Sequence, residues 1–178
     1  ETENMAGLEQ ALAQGAHVFY ADHHKAGEIP QHGNLDAHID LDANICTALI
    51  VDQLLDGRFH LWAITAAYGD NLIARADALA DRVGLSAEQK AQLKELGTSI
   101  NYNGYGSKVD DLHFHPADLY QALKQYVSPF DVIADKASPY YQLQSAYQQD
   151  MDAALAIPAT HESAKLKLFE LPNNAASR

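Results

Sequence analysis

Asp22, His23 and His24 stand side by side in the stretch A-H-V-F-Y-A-D-H-H-K-A-G. One carboxylate beside two imidazoles is a donor set for a divalent cation: imidazole suits Mn, Zn or Fe, and carboxylate suits Mg or Mn. A His-His pair in a loop is ordinarily a solvated turn, so the case depends on its surroundings. A second carboxylate, Asp70, follows an apolar run and a glycine in A-I-T-A-A-Y-G-D-N.

These residues need elements to bring them together. Val18-Phe19-Tyr20-Ala21 is short, apolar and aromatic, which predicts a buried strand over residues 16–21 that ends at Asp22. In open α/β sheets ligands gather at the carboxyl ends of such strands. An amphipathic helix is expected before it, over residues 4–14, stopped by Gly15. A loop over 25–34 and a short strand over 37–40 should follow. The next helix, 45–55, would be capped by Asp42 or Asn44 and buried through Ile45, Leu49 and Leu54. Residues 59–68 are apolar and could be helix or strand; they deliver Gly69, Asp70 and Asn71. Helices are predicted over 72–83, 86–96, 116–127, 129–134 and 139–157. The polar and aromatic stretch 97–106 reads as a loop, and 165–171 alternates like a strand. The fold class is therefore α/β, a partial parallel sheet with a helix-rich second half.

The order of these motifs resembles the DHH phosphoesterase superfamily. There a strand ends in Asp-His-His, a helix start bearing Thr or Ser follows, and a later Gly-Asp supplies a bridging carboxylate. The resemblance covers residues 8–71 and extends, in a bacterial branch, through I-N-Y-N-G-Y-G and D-D-L-H-F-H-P. It implies that residues 1–164 are the later part of a DHH domain and that 165–178 begin a linker or a C-terminal substrate domain. It also implies two further acidic motifs upstream of Asp-His-His that this sequence does not include. A piece without them would bind metal weakly and turn over little.

The resemblance implies specific roles. His23, Asp70 and Asp22 would hold Mn²⁺ or Mg²⁺ in a two-metal site, with Asp70 bridging and Asp22 either a ligand or the carboxylate that orients His23. His24 would face the substrate phosphate, so His24 and Asp22 are the catalytic candidates. Thr47 and Asn71 would support substrate and site by hydrogen bonds, and Asn103 and Gly104 belong to a loop suited to contacting a ligand. Two metals clamp the attacking and leaving oxygens of a phosphoryl transfer. The expected activity is hydrolysis of a phosphoester or phosphoanhydride in a small substrate: a short oligonucleotide, a cyclic dinucleotide, pyrophosphate or polyphosphate. The alternative is a binding or regulatory module that keeps the fold without turnover.

Composition limits the partners. The 178 residues include 12 basic and 24 acidic side chains, a net charge of −12. That opposes a duplex-binding surface, which needs Lys and Arg to displace counterions, but a bound cation can invert the field locally. A small phosphorylated substrate or a short single strand, and a second copy of the chain in a homodimer, are the partners expected. No apolar run has the 18 or so residues of a membrane span, and no secretory signal is present. The single Cys46 excludes an intramolecular disulfide framework and fits a cytoplasmic location. His113 and His115, near Asp110 and Asp111, could form a second metal site or a helix-capping loop. Arg58 and His60 read as a surface pair.

Overall fold

The computed structural model describes residues 4–171. The first helix, α1 (Met5–Ala13), stops where expected. Gly15 takes φ +84°, which costs glycine nothing. The amides of Gly15 and Ala16 then reach back to the carbonyls of Leu12 and Ala11 at 2.9 and 3.0 Å, satisfying carbonyls the helix end leaves open. Strand β1 (Val18–Asp22) follows and pairs in parallel with β2 (Leu35–Ile39). Asp22 lies opposite Ile39. The crossover between them, residues 23–34, is irregular chain rather than helix.

Helix α2 (Thr47–Leu54) differs from the expectation at both ends. Its N-cap is Cys46, whose side chain makes no capping hydrogen bond. Asp42 instead closes its own turn, accepting from the Asn44 amide at 2.8 Å. Ile45 and Leu49 are buried, but Leu54 is 43% exposed.

The core is built around α3 (His60–Gly69), which packs against α2, α4 (Ile73–Arg82), α5 (Ala87–Tyr102) and α7 (Pro129–Ala134). Its A-I-T-A-A-Y run is buried almost throughout; Ile64 and Ala67 have no exposed surface. A helix that is apolar all round belongs inside, and that resolves the helix-or-strand alternative for this segment.

The α3–α5 contact explains the largest error in reading the sequence. Residues 97–102 are helix, not loop, and Gly97 lies within α5. A Cβ on Gly97 would meet the Thr65 carbonyl oxygen at 2.1 Å, and one on Gly69 would meet the Gly97 carbonyl oxygen at 2.7 Å. The two helices touch backbone to backbone, and the packing gained offsets the roughly 1 kcal/mol that glycine costs inside a helix. The other end of α5 starts where expected, and Ser86 and Gln89 cap it reciprocally, with hydrogen bonds of 3.2 and 2.9 Å.

Helix α6 (Pro116–Leu123) stops before residue 127, and α8 (Pro139–Leu155) packs on α5. The strand predicted over 165–171 reduces to β4 (Lys167–Leu168), antiparallel to β3 (His161–Glu162). From residue 172 on, the 165–178 segment lies outside the described residues. Among the described residues no helix is long and apolar enough to cross a membrane. The protein is mixed helix and strand, mostly helical, with a small parallel sheet.

Candidate metal centre

Asp22 ends β1, and its carboxylate folds the chain back on itself. Oδ1 accepts from the amides of His23 (2.7 Å) and His24 (3.2 Å) and lies 2.9 Å from His24 Nδ1. Oδ2 accepts from the Tyr20 hydroxyl at 3.1 Å. Burial by itself would raise the pKa of this carboxyl. The hydrogen bonds from the His24 ring and amide, the His23 amide and Tyr20 outweigh it and hold the group at about 2.

His23 is gripped by a different element. Its Nδ1 lies 3.1 Å from the Thr47 amide nitrogen and 3.0 Å from the Thr47 hydroxyl oxygen. The first amide of α2 has no partner within its own helix, and the imidazole supplies one. Asp22 Oδ1 is 3.9 Å from His23 Nδ1, so the expected orienting role of Asp22 is corrected: Asp22 holds the ring of His24, and Thr47 holds the ring of His23. The two imidazoles are 4.0 Å apart, centre to centre, and the His24 side chain is 64% exposed.

His23 Nε2 faces Asp70, 3.5 Å from Oδ2. Asp70 is the C-cap of α3. The next residue, Asn71, takes φ +59°, a left-handed conformation that asparagine tolerates better than most residues. The amides of Asn71 and Leu72 donate to the carbonyls of Tyr68 (3.1 Å) and Ala67 (2.9 Å). Asn71 therefore supports the site through the backbone turn that ends the helix at Asp70. A carboxylate at a helix C-terminus faces the negative end of the helix dipole, at a cost of about 0.3–1 kcal/mol, and α3 has no basic residue in its last turn to offset it. A cation here would relieve this repulsion.

One ligand atom from each of Asp22, His23 and His24 lies within 4.8 Å of the others. These three residues stand at and just after the end of β1, and Asp70, just past the end of α3, lies against His23 on its Nε2 side. This mixed oxygen and nitrogen set fits Mn²⁺, and its carboxylates suit Mg²⁺.

Beside the cluster lies a pocket of about 340 Å³, to which His23 and Asp70 both contribute. Trp62 and Ala66 of α3, Ile100 and Asn101 of α5, Leu123 of α6 and the buried Cys46 line it. Burial pushes the Cys46 thiol above its ordinary pKa, and the Asp70 carboxylate adds to the shift.

Other candidates lie elsewhere. Asn103 is 2% exposed; its carboxamide donates to the Phe114 carbonyl at 3.0 Å and accepts from the Phe114 amide at 2.9 Å. Neither Asn103 nor Gly104 lines the pocket. His113 and His115 do not share a site: His113 Nε2 is 3.0 Å from Asp150 Oδ2, whereas His115 caps α6 by accepting from the Ala117 amide at 3.2 Å. His60 is no surface partner of Arg58; its Nδ1 is 2.5 Å from Oδ2 of the buried Asp52. The pocket wall formed by Trp62, Ile100 and Leu123 escaped sequence reading because three helices contribute one apolar residue each.

Comparison with models of protein families, with curated proteins and with solved structures finds no match for this chain.

Proposed function

We propose that this protein carries the Asp-His-His and Gly-Asp part of a DHH phosphoesterase centre and hydrolyses a phosphoester or phosphoanhydride bond in a small phosphorylated substrate. The observation that carries this reading is the approach of His23 Nε2 to Asp70 Oδ2, 3.5 Å apart. Two motifs far apart in sequence, each expected to bind metal, meet at the end of the parallel sheet. Phosphoryl transfer is catalysed chiefly by positioning and charge neutralisation, and the cluster is arranged for both.

His23, Asp70 and Asp22 would hold Mn²⁺ or Mg²⁺. Bound there, the metal would supply an activated water and neutralise charge on the phosphoryl group. His23 is fixed by Thr47, and its Nε2 is directed at Asp70. Asp22 remains ionised through neutral pH and holds His24 by Nδ1. The exposed His24 ring is then placed to donate a hydrogen bond or proton to a phosphate or leaving oxygen.

The test is Mn²⁺-dependent hydrolysis of bis(p-nitrophenyl) phosphate, read together with Mn²⁺-dependent binding of inorganic phosphate. Phosphate binding is expected in the wild type, with only weak hydrolysis because the two upstream acidic motifs are not among these residues, and both are expected to be lost in His23→Ala and Asp70→Ala with circular dichroism unchanged. Phosphate binding that needs neither Mn²⁺ nor these side chains would contradict the reading.

A further inference from the structure

Helix α8 has an unusual surface for so acidic a chain. Its 17 residues include no Lys, Arg or Glu, and its two acids are Asp150 and Asp152. Asp150 points inward, where it accepts from the Tyr102 hydroxyl at 2.7 Å and lies 3.0 Å from His113 Nε2. The outward charge is Asp152. By contrast α4, with 10 residues, carries Arg75, Asp77, Asp81 and Arg82. A helix at the surface is ordinarily charged on its open face, and depletion of charge is the mark of a face that another protein covers.

In place of charge stand Gln144, Ser145, Gln148 and Gln149, then Met151 and Leu155, which are 37% and 77% exposed. Met151 and Leu155 follow Gln144 and Gln148 two turns along on the same side of the helix. Helices α5 and α8 run side by side in the same direction, joined where Gln144 donates to Glu95 and where Tyr102 donates to Asp150. The first half of the α8 flank borders a groove of about 640 Å³ between them, with Ala91 and Thr98 of α5 across from Ser145 and Gln148. The second half carries the two protruding apolar side chains. One flank thus holds both a hollow and the knobs to fill one.

That combination points to a partner. In a twofold dimer, residues near the axis meet their own copies. Like charges meeting there repel, whereas a carboxamide both donates to and accepts from another carboxamide. Gln148 donates to Asp152 at 2.8 Å and Gln149 to Ser145 at 3.2 Å, and each amide keeps an N–H and an oxygen to offer. With α8 antiparallel to its copy and Gln148 at the axis, Met151 stands opposite Ser145 at the hollow, and Asp152 stands opposite Gln144. The charge of the chain points the same way. Two bodies of net charge −12 repel, and a flank with one outward acid is where they can touch at least cost. A basic partner would find little there to pair with.

We propose that this protein forms a twofold dimer through the α8 flank, with Met151 and Leu155 of each copy packed along the α5–α8 groove of the other. The proposal is independent of the metal centre.

Sedimentation velocity on the full chain tests it, from about 1 to about 200 μM. The 19.5 kDa chain should pass from monomer to dimer within that range. The association should strengthen as NaCl rises from about 50 to about 500 mM, because salt screens the repulsion between like-charged bodies. Gln148→Glu sets two like charges at the axis, and Leu155→Glu removes an apolar knob. Each should weaken the dimer by about tenfold or more with circular dichroism unchanged, since both side chains are exposed. Val83→Glu, at the C-cap of α4 and 48% exposed, should leave it intact. Gln148→Cys should be captured as a covalent dimer by a short bismaleimide, whereas the wild type, whose Cys46 is buried, should not. A chain that stays monomeric throughout this range would overturn the proposal. So would a dimer that dissociates as salt rises, or one indifferent to Gln148→Glu and Leu155→Glu. Equal weakening by Val83→Glu would overturn it too.

Discussion

His23 Nδ1 lies 3.1 Å from the Thr47 amide nitrogen and 3.0 Å from the Thr47 hydroxyl oxygen, so one residue offers the imidazole both a donor and an acceptor. The amide favours the tautomer with its proton on Nε2, directed at Asp70. A metal on Nε2 requires the proton on Nδ1, and the Thr47 hydroxyl is there to accept it.

Thr47 is thus expected to set the tautomer on which metal affinity depends. Without metal, ¹⁵N shifts should show His23 protonated at Nε2. Thr47→Val keeps the amide but removes the acceptor, and should weaken Mn²⁺ by about tenfold or more. Thr47→Ser should stay near wild type. Equal affinities for the two variants would contradict this role.

The depressed carboxyl of Asp22 makes a pH prediction with a definite sign. Its folded pKa, about 2, is below the ordinary 3.8. Its stabilisation is therefore fully present above about pH 4 and is lost as pH falls through 2. Asp22→Asn should cost about 1 kcal/mol at pH 7, and urea melts should show the gap to wild type closing between pH 4 and pH 2. A gap that stays constant over that window would show that the charge contributes nothing.

The helix contact at Gly97 is open to a paired test. Gly97→Ala places a methyl group 2.1 Å from the Thr65 carbonyl oxygen and should destabilise by at least about 2 kcal/mol. Gly7, within α1, has nothing within 4 Å of an added Cβ, and Gly7→Ala should stabilise by up to about 1 kcal/mol. Equilibrium denaturation of both variants checks the pair.

Cys46 reports on the pocket from the inside. Burial and the Asp70 carboxylate both disfavour its thiolate, so alkylation by iodoacetamide at pH 8 should be slow. Asp70→Asn should speed it roughly two- to threefold. A rate indifferent to this substitution would separate Cys46 from the site.

The strand ending at Asp22 and the arrival of Asp70 after an apolar run were legible because each is a local pattern, but the strand is not buried as expected: Phe19 is 57% exposed, because the sheet has only two strands to cover it. Periodicity could not decide α3, because a helix buried on every side has no polar face to show its period. Gly97 misled because a glycine after a helical pattern usually marks a helix end; here it lets α5 approach the Thr65 backbone. Adjacency in sequence placed Asp22 beside His23, but the chain turn gives the Asp22 carboxylate to the His24 ring, and the hydrogen bonds that hold the His23 ring come from Thr47. The pocket had no local pattern to read at all.

The central claim is that β1 and α3 deliver their motifs to one metal centre. The most direct measurement is calorimetric titration of Mn²⁺ into the wild type, His23→Ala and Asp70→Ala, with Asp77→Ala on α4 as a control. The account predicts saturable binding that is lost in both His23→Ala and Asp70→Ala and kept in the control. Binding that survives either substitution at full strength would show that the two motifs do not share a metal.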